Sequence, residues 1–210
     1  MNYLRKHWYD LGGIFVLCII IFLFTTINLS AYEEIMWLSL LALLLHQLEE
    51  YRIVGTFPGM INKVMFRSDM PDRFPLNTNT AFIINVCIGW STYLAAAIFG
   101  EQVIWLGIAT MMVSLGNIVA HTFLFNIKGK TFYNAGLATS WLCFAPCIYC
   151  FISILLKENL AHTTDMLIGI SLGIFINVVG IFKLIDWMAN RSTKYIFEKR
   201  NLLLSDKKIG

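Results

Sequence analysis

Within an otherwise apolar stretch, six residues, Leu40-Leu41-Ala42-Leu43-Leu44-Leu45, run directly into His46-Gln47-Leu48-Glu49-Glu50. Imidazole and carboxylate side chains are ligands for divalent metals and carriers of protons, so their spacing matters. On a helix at about 100° per residue, Glu49 and Glu50 flank the direction of His46 one turn further on. All three side chains therefore point into one sector. An ionised carboxylate facing lipid costs roughly 2.5 kcal/mol or more, so these groups must face a bundle interior, a water-filled pocket or the membrane edge. A place at the edge, with Tyr51 and Arg52 as flanking anchors, accounts for Glu50 but not for His46. By helix rise His46 lies about 12 Å inside the apolar run.

Other polar residues sit at a similar expected depth. Asn85 lies in the next apolar segment, Asn117 and His121 are one turn apart in the fourth, and Asn134, Thr139 and Ser140 open the fifth. Asn177, Lys183 and Asp186 are expected to descend along the sixth, so that polar groups from five segments converge on the cytoplasmic half. Two histidines and two glutamates suffice to ligate zinc, iron or manganese. The expected ligands are His46, Glu49, Glu50 and His121. Asn85 and Asn117 would orient them, and whichever carboxylate is not ligating would act as general base. The same groups without metal would shuttle a proton or stabilise a cationic intermediate, with Trp90 or Trp141 offering a π face. A substrate reaching such a site from the cytoplasmic leaflet would be lipid-like. Two other classes remain open: a proton-coupled transporter or ion pathway, against which the absence of a polar path to the outer face speaks, and a non-catalytic membrane subunit.

These residues need a scaffold, and the composition says which. Of 210 residues 58% are apolar and only 14% charged, with a mean hydropathy of +0.68. Soluble domains carry about 25% charged residues, so lipid must solvate most of this chain. The formal charge of +3 is small and nothing resembles a nucleic-acid-binding surface. Six segments are apolar enough to span: 11–29, 34–54, 80–99, 102–127, 134–156 and 165–188. The predicted fold class is thus an all-α polytopic membrane bundle, with residues 1–190 as one transmembrane domain. Residues 191–210 form a basic tail. Arg and Lys fall on alternate connections, which predicts both termini on the cytoplasmic side. The first segment reads as a retained helix and not as a cleaved leader. The long cytoplasmic loop 55–79 is broken by Pro58-Gly59, Pro71 and Pro75; its stretch 60–66 is expected at the interface or folded under the bundle. Five cysteines, all within apolar runs, argue against a disulfide framework. Gly169 and Gly173 predict a close helix contact. A plasma membrane of prokaryotic type is the expected location.

His46-Gln47-Leu48-Glu49-Glu50 inside the second apolar run resembles the signature of the HXXEE-motif membrane protein family. Pro58-Gly59, Asn85, Asn117, His121 and Tyr133-Asn134-Ala135-Gly136-Leu137 extend that resemblance over about residues 37–142. Ala135 stands where many members carry proline. The resemblance implies a location for the site and no reaction, since the family name describes a motif.

Overall fold

The computed structural model describes residues 2–208; Met1, Ile209 and Gly210, the ends of the expected domain and tail, lie outside them. It is 78% helical, with no strand among the described residues. Four stretches are long and apolar enough to cross a membrane: Tyr3–Thr25, Thr78–Gly129, Leu137–Glu158 and Thr163–Trp187.

Helix α1 spans Asn2–Thr25. It begins nine residues before the expected Leu11, because its polar first turns pack on the rest of the protein and continue the helix beyond the apolar run. It ends before Asn28, whose φ of 85° breaks the run earlier than the expected Leu29. Helix α2 covers 31–53 and closes in a wider π-helical turn, Glu49–Ile53. Ser30 caps it: the hydroxyl accepts from the Glu33 amide at 3.2 Å while the Glu33 carboxylate accepts from the Ser30 amide at 2.9 Å. Glu33, Glu34 and the His46–Glu50 group dilute its hydropathy, which suits a helix enclosed by others. Tyr32, Met36, Leu40 and Leu44 on α2 are buried in one cluster with Val16 of α1, Tyr93, Ile108 and Phe144.

The 52-residue stretch Thr78–Gly129 is a hairpin. Asn77 caps helix α4 (78–99, following the short α3 at 57–65), accepting from the amides of Asn79 and Thr80 at 3.1 Å each. Gly100, with φ 52°, turns the chain against Glu33, where a Cβ would meet the Glu33 side chain at 3.2 Å. Helix α5 (104–129) then runs back beside α4, and the Tyr93 hydroxyl bonds the Thr110 carbonyl and Ser114, each at 2.8 Å. Helices α6 (Leu137–Glu158) and α7 (Thr163–Trp187) complete the bundle. The glycine pair works as its spacing predicts. A Cβ on Gly169 would lie 2.6 Å from Ile108 Cβ, and one on Gly173 2.4 Å from Met112 Cβ.

Loop 55–79 folds under the bundle. Its helix α3 carries Asn62, fully buried, which donates to the Pro71 and Leu76 carbonyls at 2.9 and 2.8 Å and accepts from the Leu76 amide at 2.9 Å. The tail also turns back on the protein. The Asn201 amide donates to the carbonyls of Tyr51 and Gly55 at 3.1 and 3.0 Å, Phe197 is buried, and Arg200 reaches the Tyr9 hydroxyl. All five cysteines are free thiols.

Candidate metal centre

Three helices supply the centre: α2 brings His46 and Glu50 one turn apart, α5 brings His121, and the start of α6 closes the space between them. Each of the three carries a π-helical turn there, at Glu49–Ile53, Ala120–Leu124 and Ser140–Phe144. Such turns shift side-chain direction by a fraction of a turn and recur at functional sites.

His46, Glu50 and His121 are 2%, 4% and 0% exposed. Glu50 Oε1 lies 3.5 Å from His46 Nε2 and 3.3 Å from His121 Nε2, and the three donor atoms all fall within 4.8 Å of one another. Donors about 2.1 Å from a tetrahedral ion stand about 3.4 Å apart, so the two measured edges fit one ion. Neither Nε2 atom has a hydrogen-bond partner.

The far side of each imidazole fixes its tautomer. Asn134 donates through Nδ2 to the His121 carbonyl and to Asn126 Oδ1, both at 2.8 Å, which leaves Oδ1 to face His121 Nδ1 at 2.6 Å. An amide oxygen only accepts, so Nδ1 carries a proton, which in the neutral ring leaves Nε2 a bare lone pair. The Thr139 hydroxyl donates to Glu49 Oε2 at 2.6 Å, so it accepts from His46 Nδ1 at 2.9 Å. In the neutral ring His46 Nε2 is therefore also bare. Two lone pairs and a carboxylate confront one another in a buried space. A cation between them removes the repulsion, and a partner on the distal nitrogen is the usual support of a metal-bound histidine.

The structure separates the two glutamates. Glu49 turns to the start of α6, where Thr139 donates its hydroxyl at 2.6 Å and its amide at 2.8 Å. The Ala138 amide adds a bond at 3.3 Å, and Tyr133 donates its hydroxyl at 2.6 Å. The carboxylate is thus saturated and acts as an anion at a helix N-terminus. Burial and the accepting Glu49 carboxylate together push the Tyr133 phenol up to about 12. Gly136, with φ 105°, packs against both imidazoles: a Cβ there would lie 2.4 Å from His121 Cε1 and 2.8 Å from His46 Cε1.

Asn85 does not reach the centre. Its Oδ1 accepts from Gln47 Nε2 at 3.0 Å, and its Nδ2 donates to the Ala81 carbonyl at 2.9 Å and to the Tyr51 hydroxyl at 3.3 Å. Asn117 donates to the Val113 carbonyl at 3.1 Å. Both line a cavity of about 100 Å³ that His46 and Glu50 also border, with Leu43, Ile84, Val113 and Ile181 among its aliphatic walls. Phe57 also borders it, its ring 5.8 Å from that of His121. Of the expected residues on the last helix, Asn177 borders the cavity and donates to the Met112 and Gly173 carbonyls. Lys183 and Asp186 instead face outward, because their positions on the helix turn away from the bundle. Trp90 donates to Gln47 Oε1 at 2.7 Å, and Trp141 is half-exposed with its indole donating to Thr122. Tyr51, expected as a flanking anchor, is buried on the cavity wall instead, and Phe57 carried no signal, since nothing in an aromatic residue near a loop marks it as a cavity wall.

Residues 37–151 match the model of a family described as a protein of unknown function with HXXEE motif. No curated protein and no solved structure matches the chain.

Proposed function

The chain belongs to the HXXEE family, and from that premise we propose that it is an integral membrane metalloenzyme acting on a lipid-like substrate. His46, Glu50 and His121 hold one divalent ion of zinc, iron or manganese, the ions that suit mixed imidazole and carboxylate donors. The observation that carries this reading is the pair of buried, partnerless Nε2 atoms facing one carboxylate. The ion would supply Lewis-acid polarisation of a substrate oxygen. The protein's part is to hold the donors in place through Asn134 and Thr139, exclude water with Phe57 and Phe144, and offer an aliphatic cavity beside Glu50. Glu50 is the one carboxylate bordering the cavity, so an ion held there would lie beside a substrate oxygen at the cavity wall.

The proposed membrane arrangement has six spanning helices: α1, α2, α4, α5, α6 and α7, with both termini cytoplasmic. The 23 residues of α2 rise about 35 Å, enough to cross. Basic residues gather at the end of the bundle nearest the site, where Arg52 pairs with Asp10 and Lys63 with Asp206. The other end holds Glu33, Glu101 and Asp165. That asymmetry supports a cytoplasmic site; a plasma membrane of prokaryotic type is the location proposed with it.

Elemental mass spectrometry on detergent-purified protein tests the reading. One equivalent of metal, lost in His46→Ala, Glu50→Gln and His121→Ala but retained at least in part in Glu49→Gln, is expected. No metal in the parent protein after gentle purification and resupply of zinc, iron and manganese overturns it.

A further inference from the structure

Beside the proposed metal ion, the cavity contains a second polar device that the HXXEE glutamates and histidines do not explain. Its origin is the indole of Trp90, which can only donate and does so to Gln47 Oε1 at 2.7 Å. Gln47 must then present Nε2 to Asn85 Oδ1, at 3.0 Å. Asn85 in turn presents Nδ2 to the Tyr51 oxygen, at 3.3 Å. The other end of the chain agrees: the Ala81 carbonyl, which can only accept, takes Asn85 Nδ2 at 2.9 Å. The direction of every bond is fixed from both sides. Tyr51 receives a hydrogen from Asn85, so its own hydroxyl hydrogen points elsewhere.

Tyr51 is 1% exposed and borders the same cavity as Glu50, Asn85 and Asn117. Its ring is held by Trp8 at 4.9 Å, Phe57 at 5.6 Å and Tyr9 at 6.0 Å between centroids. The phenol is thus rigid, with a donor to spare beside a space whose walls are mostly apolar. Among the residues bordering the cavity there is no lysine or arginine, and Glu50 is the one carboxylate. A divalent ion beside Glu50 leaves a single net positive charge, enough to polarise a neutral oxygen. A phosphate monoester brings about two negative charges at neutral pH, which would be buried without sufficient compensation.

We infer that Tyr51 donates a hydrogen bond to the substrate, and that the substrate is an uncharged long-chain oxygen compound, an ester or ketone, and not a lipid phosphate. This rests on the reading of the site as a metalloenzyme of lipid-like molecules, and it names the group that such a molecule presents. Tyr51 selects an acceptor, the aliphatic walls select a chain, and the missing cations reject a phosphorylated head group.

Photoaffinity labelling of the detergent-purified protein tests the inference, with crosslinks mapped by peptide mass spectrometry. Three probes share one alkyl chain with a mid-chain diazirine and end as a methyl ester, a phosphate monoester or a plain methyl group. The expected result is that the ester labels cavity residues of α2, α4 or α7, and that excess unlabelled ester competes. The phosphate and the plain alkane should label those residues at least five-fold less. Tyr51→Phe should lower ester labelling about five-fold, the loss of one net hydrogen bond. Asn85→Asp, which offers the phenol an acceptor and draws its hydrogen out of the cavity, should act in the same direction. Equal labelling by phosphate or alkane overturns the inference, as does undiminished ester labelling in both variants. Metal content and melting temperature measured on the same preparations keep the two readings apart. Metal present with the wrong probe preference rejects the substrate class alone, whereas ester labelling in protein that holds no metal rejects the metal ion alone.

Discussion

Replacing Gly136 by alanine adds one methyl group at the most crowded point of the proposed centre. The new Cβ would stand 2.4 Å from His121 Cε1, 2.8 Å from His46 Cε1 and 2.9 Å from His121 Nδ1. Ordinary carbon contact needs about 3.5 Å, so at least one imidazole must retreat by about 1 Å. Metal donors tolerate displacement of about 0.5 Å before their geometry is lost. Retreat is also blocked, because His121 Nδ1 is held by Asn134 at 2.6 Å and His46 Nδ1 by Thr139 at 2.9 Å. The backbone adds its own penalty: φ at 105° costs a non-glycine residue about 1–3 kcal/mol. Gly136→Ala should therefore lose most of its metal and melt several degrees lower, read by elemental mass spectrometry and by thermal unfolding in detergent. Gly129→Ala is the control. Its Cβ would meet Met60 Cε and Thr131 Cγ2 at 3.3 Å each and Met60 Sδ at 3.4 Å, with an ordinary helical φ and away from both imidazoles, so metal content should stay at the parent level. A Gly136→Ala protein with full metal and an unchanged melting temperature would refute the packing of the two imidazoles against this glycine.

Three further outcomes follow from the same contacts. Thr139→Val removes the acceptor that fixes the His46 tautomer and one bond to Glu49, and should weaken metal affinity about 10- to 100-fold, as loss of such a partner does; competition with a chelator measures it. Asn62→Ala strands the Pro71 and Leu76 carbonyls and the Leu76 amide, and at about 1–3 kcal/mol for a buried group left unmade should destabilise loop 55–79, with faster amide exchange there by mass spectrometry. Tyr133, whose folded phenol is raised to about 12 against an ordinary value near 10, contributes stability that is complete below pH 10 and declines as pH rises through the folded value. Its loss in Tyr133→Phe should abolish that portion of the alkaline decline in a thermal melt, and an identical decline in parent and variant would remove the Glu49 bond from the account.

The order and apolar character of the helices were legible in the sequence, because lipid imposes one local rule on every spanning residue. Apolar length and the placement of Gly169 and Gly173 act within a turn or two and leave their mark on the chain itself. The helix bounds differ most at α1, where Arg5 to Asp10 are too polar to look like part of a span yet continue the helix by packing on other elements. The same local geometry could gather His46, Glu49 and Glu50 into one sector, but not divide them. Glu49 and Glu50 stand about 100° apart on α2, one on each side of His46. Which of them faces His121 depends on where α5 and α6 stand around α2, and that is a matter of tertiary packing. The bundle sends Glu50 to the histidines and gives Glu49 to the amides opening α6. It likewise turns Lys183 and Asp186 outward, brings Tyr51 to the cavity through Asn85, and sets Gly136 against two rings from different helices. The sequence by itself determined the helical, apolar character of the chain and set His46, Glu49 and Glu50 in one sector of one helix. Only the tertiary structure decided which side chains share a space, since contacts between residues 75 or 90 positions apart obey no periodicity along the chain.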